Sequence, residues 1–64
     1  MNNLKQIRTS LGLTQASLSE KSGVNIRMIQ HYEQGIKDLN QAAAITVFNL
    51  AKALNVSMEE LLNI

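Results

Sequence analysis

The sequence predicts an all-α fold, a compact single domain of five short helices over residues 1–64. Apolar residues recur at spacings of three and four, as on one face of a helix. No segment alternates with a period of two for long enough to be a strand. Helix punctuation is regular: a capping side chain precedes most apolar-periodic runs, and glycine follows three of them.

The first helix is expected over about Asn3 to Leu11, with Leu4, Ile7 and Leu11 on one stripe and Gly12 as its stop. The second starts at the cap residue Thr14 and runs to Ser22, where Gly23 supplies a left-handed turn without Cβ strain. The third is capped by Asn25, runs to about Gln34 and ends at Gly35. After a connection from Ile36 to Leu39, a fourth helix is expected from the cap Asn40 to about Leu54. The fifth is short. Ser57 and Glu60 have the spacing of a capping box, in which each side chain accepts from the other's backbone N–H.

Composition narrows the function classes. The chain of 64 residues is 45% hydrophobic, enough for a folded core. A core of this size seldom yields more than about 3–5 kcal/mol, so a second subunit is a natural supplement. With no cysteine and one histidine, neither a disulfide nor a structural zinc site is expected, and no cofactor is implied. There is no apolar run long enough to span a membrane and no signal-peptide pattern at Met1 to Lys5, so the expected compartment is the cytoplasm. The net charge is +1, but it is unevenly spread: +3 over residues 1–37 and −2 over the remainder. A basic first part beside an acidic end fits one face made for phosphates, and it fits an ordinary solvated surface equally well.

The stretch from Thr14 to Glu33 is the most informative. Two short helices meet at a tight turn containing one glycine, with Leu18, Ser19, Val24, Ile29 and Tyr32 inward. That is the pattern of a helix-turn-helix. With Ile29 pointing inward, Asn25, Tyr32, Glu33 and Ile36 fall within about 60° of it on a helical wheel. Arg27, His31 and Gln34 fall on the opposite face, with Gln30 at its edge. Arg and Gln carry paired hydrogen-bonding groups suited to the edges of guanine and adenine.

Leu13-Thr14-Gln15, Leu18, Gly23-Val24-Asn25, Ile29, Tyr32-Glu33-Gln34-Gly35 and the ending Lys52-Ala53-Leu54-Asn55-Val56-Ser57 together resemble the lambda-repressor-like, Cro/XRE-type helix-turn-helix family. The resemblance covers nearly the whole chain. It implies a five-helix DNA-binding domain whose third helix enters the major groove of double-stranded DNA. It places Gln15 at the start of the second helix against phosphate or a base, and Asn25, Arg27, Gln30 and His31 on or beside the reading surface. It also implies a structural salt bridge between Arg8 and Glu33. Gln34, Lys37 and Lys21 complete the expected DNA contacts, with Lys5 adding phosphate attraction.

The sequence departs from the family pattern in three places. Ser19 stands where alanine is usual, a swap accommodated if its hydroxyl bonds back to the helix. Ile26 occupies a position often given to a polar reader, where it can meet a thymine methyl. The connection between Gly35 and Leu54 is about three residues longer than usual and lacks the usual proline.

In the fourth helix Val47, Leu50, Ala51 and Leu54 suffice for the core. Ile45 and Phe48 are left to one side. They either cover the core edge with Leu39, Leu61 or Leu62, or form a homodimer contact with Ile64. The expected function is sequence-specific DNA binding with repression of transcription by promoter occlusion. The alternative is an antitoxin-like protein-interaction module that also binds its own operator. An enzyme is not expected, because no nucleophile–base set, phosphate loop or metal cluster stands in the sequence.

Overall fold

A computed structural model describes residues 2–64. Among these, five α-helices and one short 3-10 turn account for the regular structure, and there is no strand. The first helix, α1, spans Leu4–Ser10. Its N-cap residue, Asn3, makes no side-chain capping bond, and it is the Asn2 Oδ1 that accepts from the Leu4 N–H at 3.0 Å. Asn3 instead ties the start of α1 to the end of the chain: its backbone N–H donates to the Leu61 carbonyl and its amide to the Glu60 carbonyl, both at 2.9 Å. The expected stripe is corrected at its end. Leu4 is buried and Ile7 packs on the core, but Leu11 is 53% exposed. The inward position one turn after Leu4 is Arg8, and the turn at Gly12 sends Leu13 back against the core in place of Leu11.

The second helix, α2 (Gln15–Ser22), begins with a capping box. Thr14 is the cap, as expected, but its reciprocal partner is Ser17, whose Oγ accepts from the Thr14 N–H at 2.9 Å. Gly23 ends α2 in the left-handed region (φ 73°), and α3 follows over Ile26–Gln34, capped by Asn25. Between them Ser19 behaves differently from expectation. Its hydroxyl donates across the turn to the Val24 carbonyl at 2.6 Å, not back to its own helix. The Ser22 hydroxyl accepts from the Val24 N–H at 3.1 Å. Both polar groups of Val24 are thus satisfied by serines while its side chain plugs the core. Replacing Ser19 with alanine strands a part-buried carbonyl and is expected to cost about 0.5–1.5 kcal/mol. In a domain this small that lowers the melting temperature by roughly 4–8 °C per kcal/mol. Thermal unfolding followed by circular dichroism checks it, and an unchanged midpoint would remove this bond from the account of the turn.

The stretch after α3 departs most from the sequence reading. Gly35 turns left-handed (φ 78°), so the helical wheel stops applying and Ile36 points outward at 64% exposure. Asp38, not Asn40, is the next cap: its Oδ1 accepts from the Asn40 N–H at 3.0 Å and starts the 3-10 turn Leu39–Gln41. That turn carries Leu39 into the core. Ala42 is then extended (ψ 158°), and α4 begins only at Ala44, running over Ala44–Leu54 with no side-chain cap. α5 spans Met58–Leu62 with the expected Ser57–Glu60 capping box. Asn55 and Asn63 adopt the left-handed conformation that ends α4 and α5 (φ 57° and 61°), the role glycine takes earlier in the chain.

The core joins Leu4, Leu18, Val24, Ile29, Tyr32, Leu39, Val47, Leu50, Ala51, Leu54 and Leu61. α2 packs on both α3 and α4, and α5 closes over α1 and α4. No helix among the described residues is long and apolar enough to cross a membrane.

Candidate nucleic-acid interface

One face of α3 is fixed by the core through Ile29 and Tyr32, which are 0% and 5% exposed. The opposite face is thereby forced outward. Arg27 and Gln34 are exposed there, with Ile26 at 38% exposure beside them. Gln30 is half-buried, as its place at the edge of that face implies, and His31 is half-buried rather than fully outward, which corrects the helical wheel. The chain leaving α3 folds back, with the Ile36 and Lys37 N–H groups donating to the His31 carbonyl at 2.9 and 3.2 Å. The Nδ1 of His31 is buried without a hydrogen-bond partner among the described residues.

Beneath this face lies an ion pair. Arg8 reaches Glu33 through two parallel bonds, Nε to Oε2 at 2.6 Å and Nη2 to Oε1 at 3.0 Å. Its Nη1 donates to the Leu13 carbonyl at 2.7 Å, so α1, the loop before α2 and the end of α3 meet at one guanidinium. The two side chains are 10% and 3% exposed. The Arg8–Glu33 pairing expected from the resemblance is therefore present and bidentate, the geometry in which arginine binds carboxylates best. Burial pushes the Glu33 carboxyl up, but hydrogen bonds from Arg8 and Gln15 and the charges of Arg8 and Lys5 outweigh it, leaving the group below its ordinary range. The hydrogen bond that Arg8 donates to Glu33 raises Arg8 against the opposing effect of burial.

Gln15, at the first position of α2, is the neighbour of this pair. Its amide donates to Glu33 Oε1 at 3.0 Å and its carbonyl oxygen accepts from Gln30 Nε2 at 3.5 Å. Gln15 is thus brought from α2 to Gln30 and Glu33, which lie one turn apart on α3. Asn25 sits at the start of α3, where its Oδ1 accepts from the Arg27 N–H at 2.8 Å. Its carbonyl oxygen is spent on capping, which leaves its amide hydrogens facing solvent.

Lys37 lies along the flank of α3, with its Nζ 3.9 Å from Met28 Sδ. Gln34 and Lys37 border one shallow groove with Asn2, Asp38 and Asn40. Lys21 is not part of this group. It stands at the far end of α2 from Gln15, in a groove with Ser22, Asn49 and Lys52. The Gln15 contacts carried no local signal in the sequence, because no periodic pattern links residues on different helices. Only the resemblance pointed to that position.

A glycine-bent helix pair whose second member turns a polar, partly cationic face outward defines the class of helix-turn-helix domains. The Helix-turn-helix family model matches residues 4–61, and the chain belongs to this Cro/C1-type helix-turn-helix DNA-binding family. It is also similar to a protein of Rhodospirillum rubrum described as an uncharacterized transcriptional regulator in the ATPase CF(0) region, with 38% identity over 56 residues. That match covers 88% of this chain and 49% of the relative, so the chain spans about half the relative's length. No solved structure matches the chain.

Proposed function

We propose that this protein binds double-stranded DNA sequence-specifically through the major groove and regulates transcription, acting as a repressor by occluding a promoter. The observation that carries this is the outer face of α3, where Arg27 and Gln34 are exposed, flanked by Gln30 and His31, on a helix anchored from behind by Ile29 and Tyr32. Arg27, Gln30 and His31 face base edges, with Gln34 at the far end of the helix. Gln15, the Asn25 amide, Lys37 and Lys5 serve phosphates, and Lys21, which stands apart from them at the far end of α2, adds phosphate attraction. Phosphate contacts fix register, and base contacts carry sequence information.

Selection of bound duplexes from a random pool, followed by titrations with the selected site, tests this. Arg27→Ala and Gln30→Ala are each expected to weaken binding by roughly 1–3 kcal/mol without lowering the melting temperature. Lys37→Ala is expected to weaken all sequences alike and to reduce the salt slope by about one. Unchanged affinity in both Arg27→Ala and Gln30→Ala contradicts the assignment of α3.

The finer reading is that two copies bind one operator. The domain measures 23 × 21 × 19 Å along its principal axes, while successive major grooves on one side of DNA lie about 34 Å apart. One copy therefore fills one half-site, and a two-fold operator takes a second. Ile45 and Phe48, 62% and 47% exposed on α4, supply an apolar contact for that second copy. Ile64, 80% exposed, borders a separate groove with Asn3, Gln6 and Ile7 and extends the candidate surface at the other end. Phe48→Glu is expected to halve the mass measured by light scattering and to weaken binding to the selected site. A monomeric wild type whose DNA binding survives the substitution removes the dimer.

A further inference from the structure

Arg8, Glu33, Gln15 and Gln30 form a continuous line of hydrogen bonds from the core to the outer face of α3. The line has a direction. Glu33, paired with Arg8, is a carboxylate and accepts only. Gln15 must therefore turn its NH2 group toward Glu33, which leaves its carbonyl oxygen facing Gln30. An amide carbonyl also only accepts, so Gln30 must turn its own NH2 group toward Gln15. One N–H and the carbonyl oxygen of Gln30 then remain for an outside partner, as one donor beside one acceptor.

Resting on the DNA-binding reading above, we propose that Glu33 and Gln15 are positioning residues that fix the amide polarity of Gln30 and commit it to adenine. In the major groove adenine offers N7 as acceptor beside the N6 amino group as donor, the complement of what Gln30 has left. Guanine offers two acceptors, N7 and O6, one of which would face the Gln30 carbonyl oxygen. Cytosine and thymine each offer a single polar group there, so one of the two Gln30 groups stays unmatched. An untethered glutamine has both N–H groups free and can turn them onto the two guanine acceptors, so it discriminates less. The ion pair beneath α3 thus acts on base choice through two intervening side chains, besides holding the helices together.

The test compares wild type with Gln30→Ala, Gln15→Lys and Gln15→Met. Lysine can still donate to Glu33 but cannot accept from Gln30. Methionine does neither and is a good helix former. Circular dichroism confirms folding, and affinities are measured for selected duplexes carrying each of the four base pairs at every position. Wild type is expected to show one position where adenine is preferred over guanine by roughly fivefold to a hundredfold. Gln30→Ala should abolish that preference at that position alone. Gln15→Lys and Gln15→Met should reduce it to less than about threefold, while the preference lost in Arg27→Ala persists in both. Full retention of the adenine preference in the folded Gln15 variants overturns the proposal, as does a guanine or cytosine preference at the position governed by Gln30. A wild type that selects no sequence overturns the DNA-reading function itself, and that result is visible before any variant is compared.

Discussion

Replacing Arg8 with methionine is expected to destabilise the protein by about 3–5 kcal/mol, close to the whole stability of a domain this size. The loss arises because Glu33, with its side chain 3% exposed, is left as a buried carboxylate without its cation. Gln15 still donates one hydrogen bond to it, which does not replace a bidentate guanidinium. The Leu13 carbonyl also loses its donor. The double variant Arg8→Met with Glu33→Leu should recover much of the loss, because two apolar residues of similar volume need no partner. Urea unfolding of the four proteins in this cycle measures the coupling. If Arg8→Met alone is as stable as wild type, the pair is not what holds α1 to α3.

The same pair sets a pH dependence. Folding lowers the Glu33 carboxyl below its ordinary value, so its contribution is fully present above the unfolded value of about 4.3. It is lost as pH falls through the lower folded value. Acid unfolding of wild type should therefore be steeper below about pH 4 than that of the Arg8→Met, Glu33→Leu variant. The complementary rise of Arg8 acts only in strong alkali, outside the working range.

Leu18→Ala is the second large effect expected. Leu18 is 0% exposed on α2, the helix that packs on both α3 and α4. Truncating a leucine at such a site costs about 2–5 kcal/mol, depending on how far the cavity collapses. That removes most of the available stability and should leave the variant largely unfolded at 37 °C. Because DNA is expected to bind only the folded form, a duplex at one hundred times its dissociation constant would restore about 2.7 kcal/mol. Helical circular dichroism of Leu18→Ala should therefore rise on adding the selected duplex and not on adding a scrambled one. Full helicity without DNA would show that the α2 site repacks around the missing methyl groups.

The helix pair, its glycine hinge and the buried faces of α2, α3 and α4 were legible in the sequence because they depend on local rules. Period 3.6 put Leu18, Ile29 and Tyr32 inward, and Val47, Leu50, Ala51 and Leu54 inward on α4, and all of them are buried. The cap at Thr14, the hinge at Gly23 and the Ser57–Glu60 box follow from backbone chemistry that spans four residues or fewer. The Arg8–Glu33 pair was legible only through resemblance, since two charges 25 residues apart announce no contact by themselves.

What the tertiary structure alone decided lies where several elements compete for one space. Leu11 lost its place in the core to Leu13, and Leu39 drew the chain into a separate turn, delaying α4 from Asn40 to Ala44. Ser19 bonded to Val24 across the hinge rather than to its own helix. Gln15 of α2, as the middle member, was joined directly to both Glu33 and Gln30 of α3 although no sequence spacing connects it to them. In each case a side chain's partner is chosen by which atoms arrive beside it after the helices pack. A one-dimensional pattern encodes the direction a residue faces along its own helix, but not what it meets there.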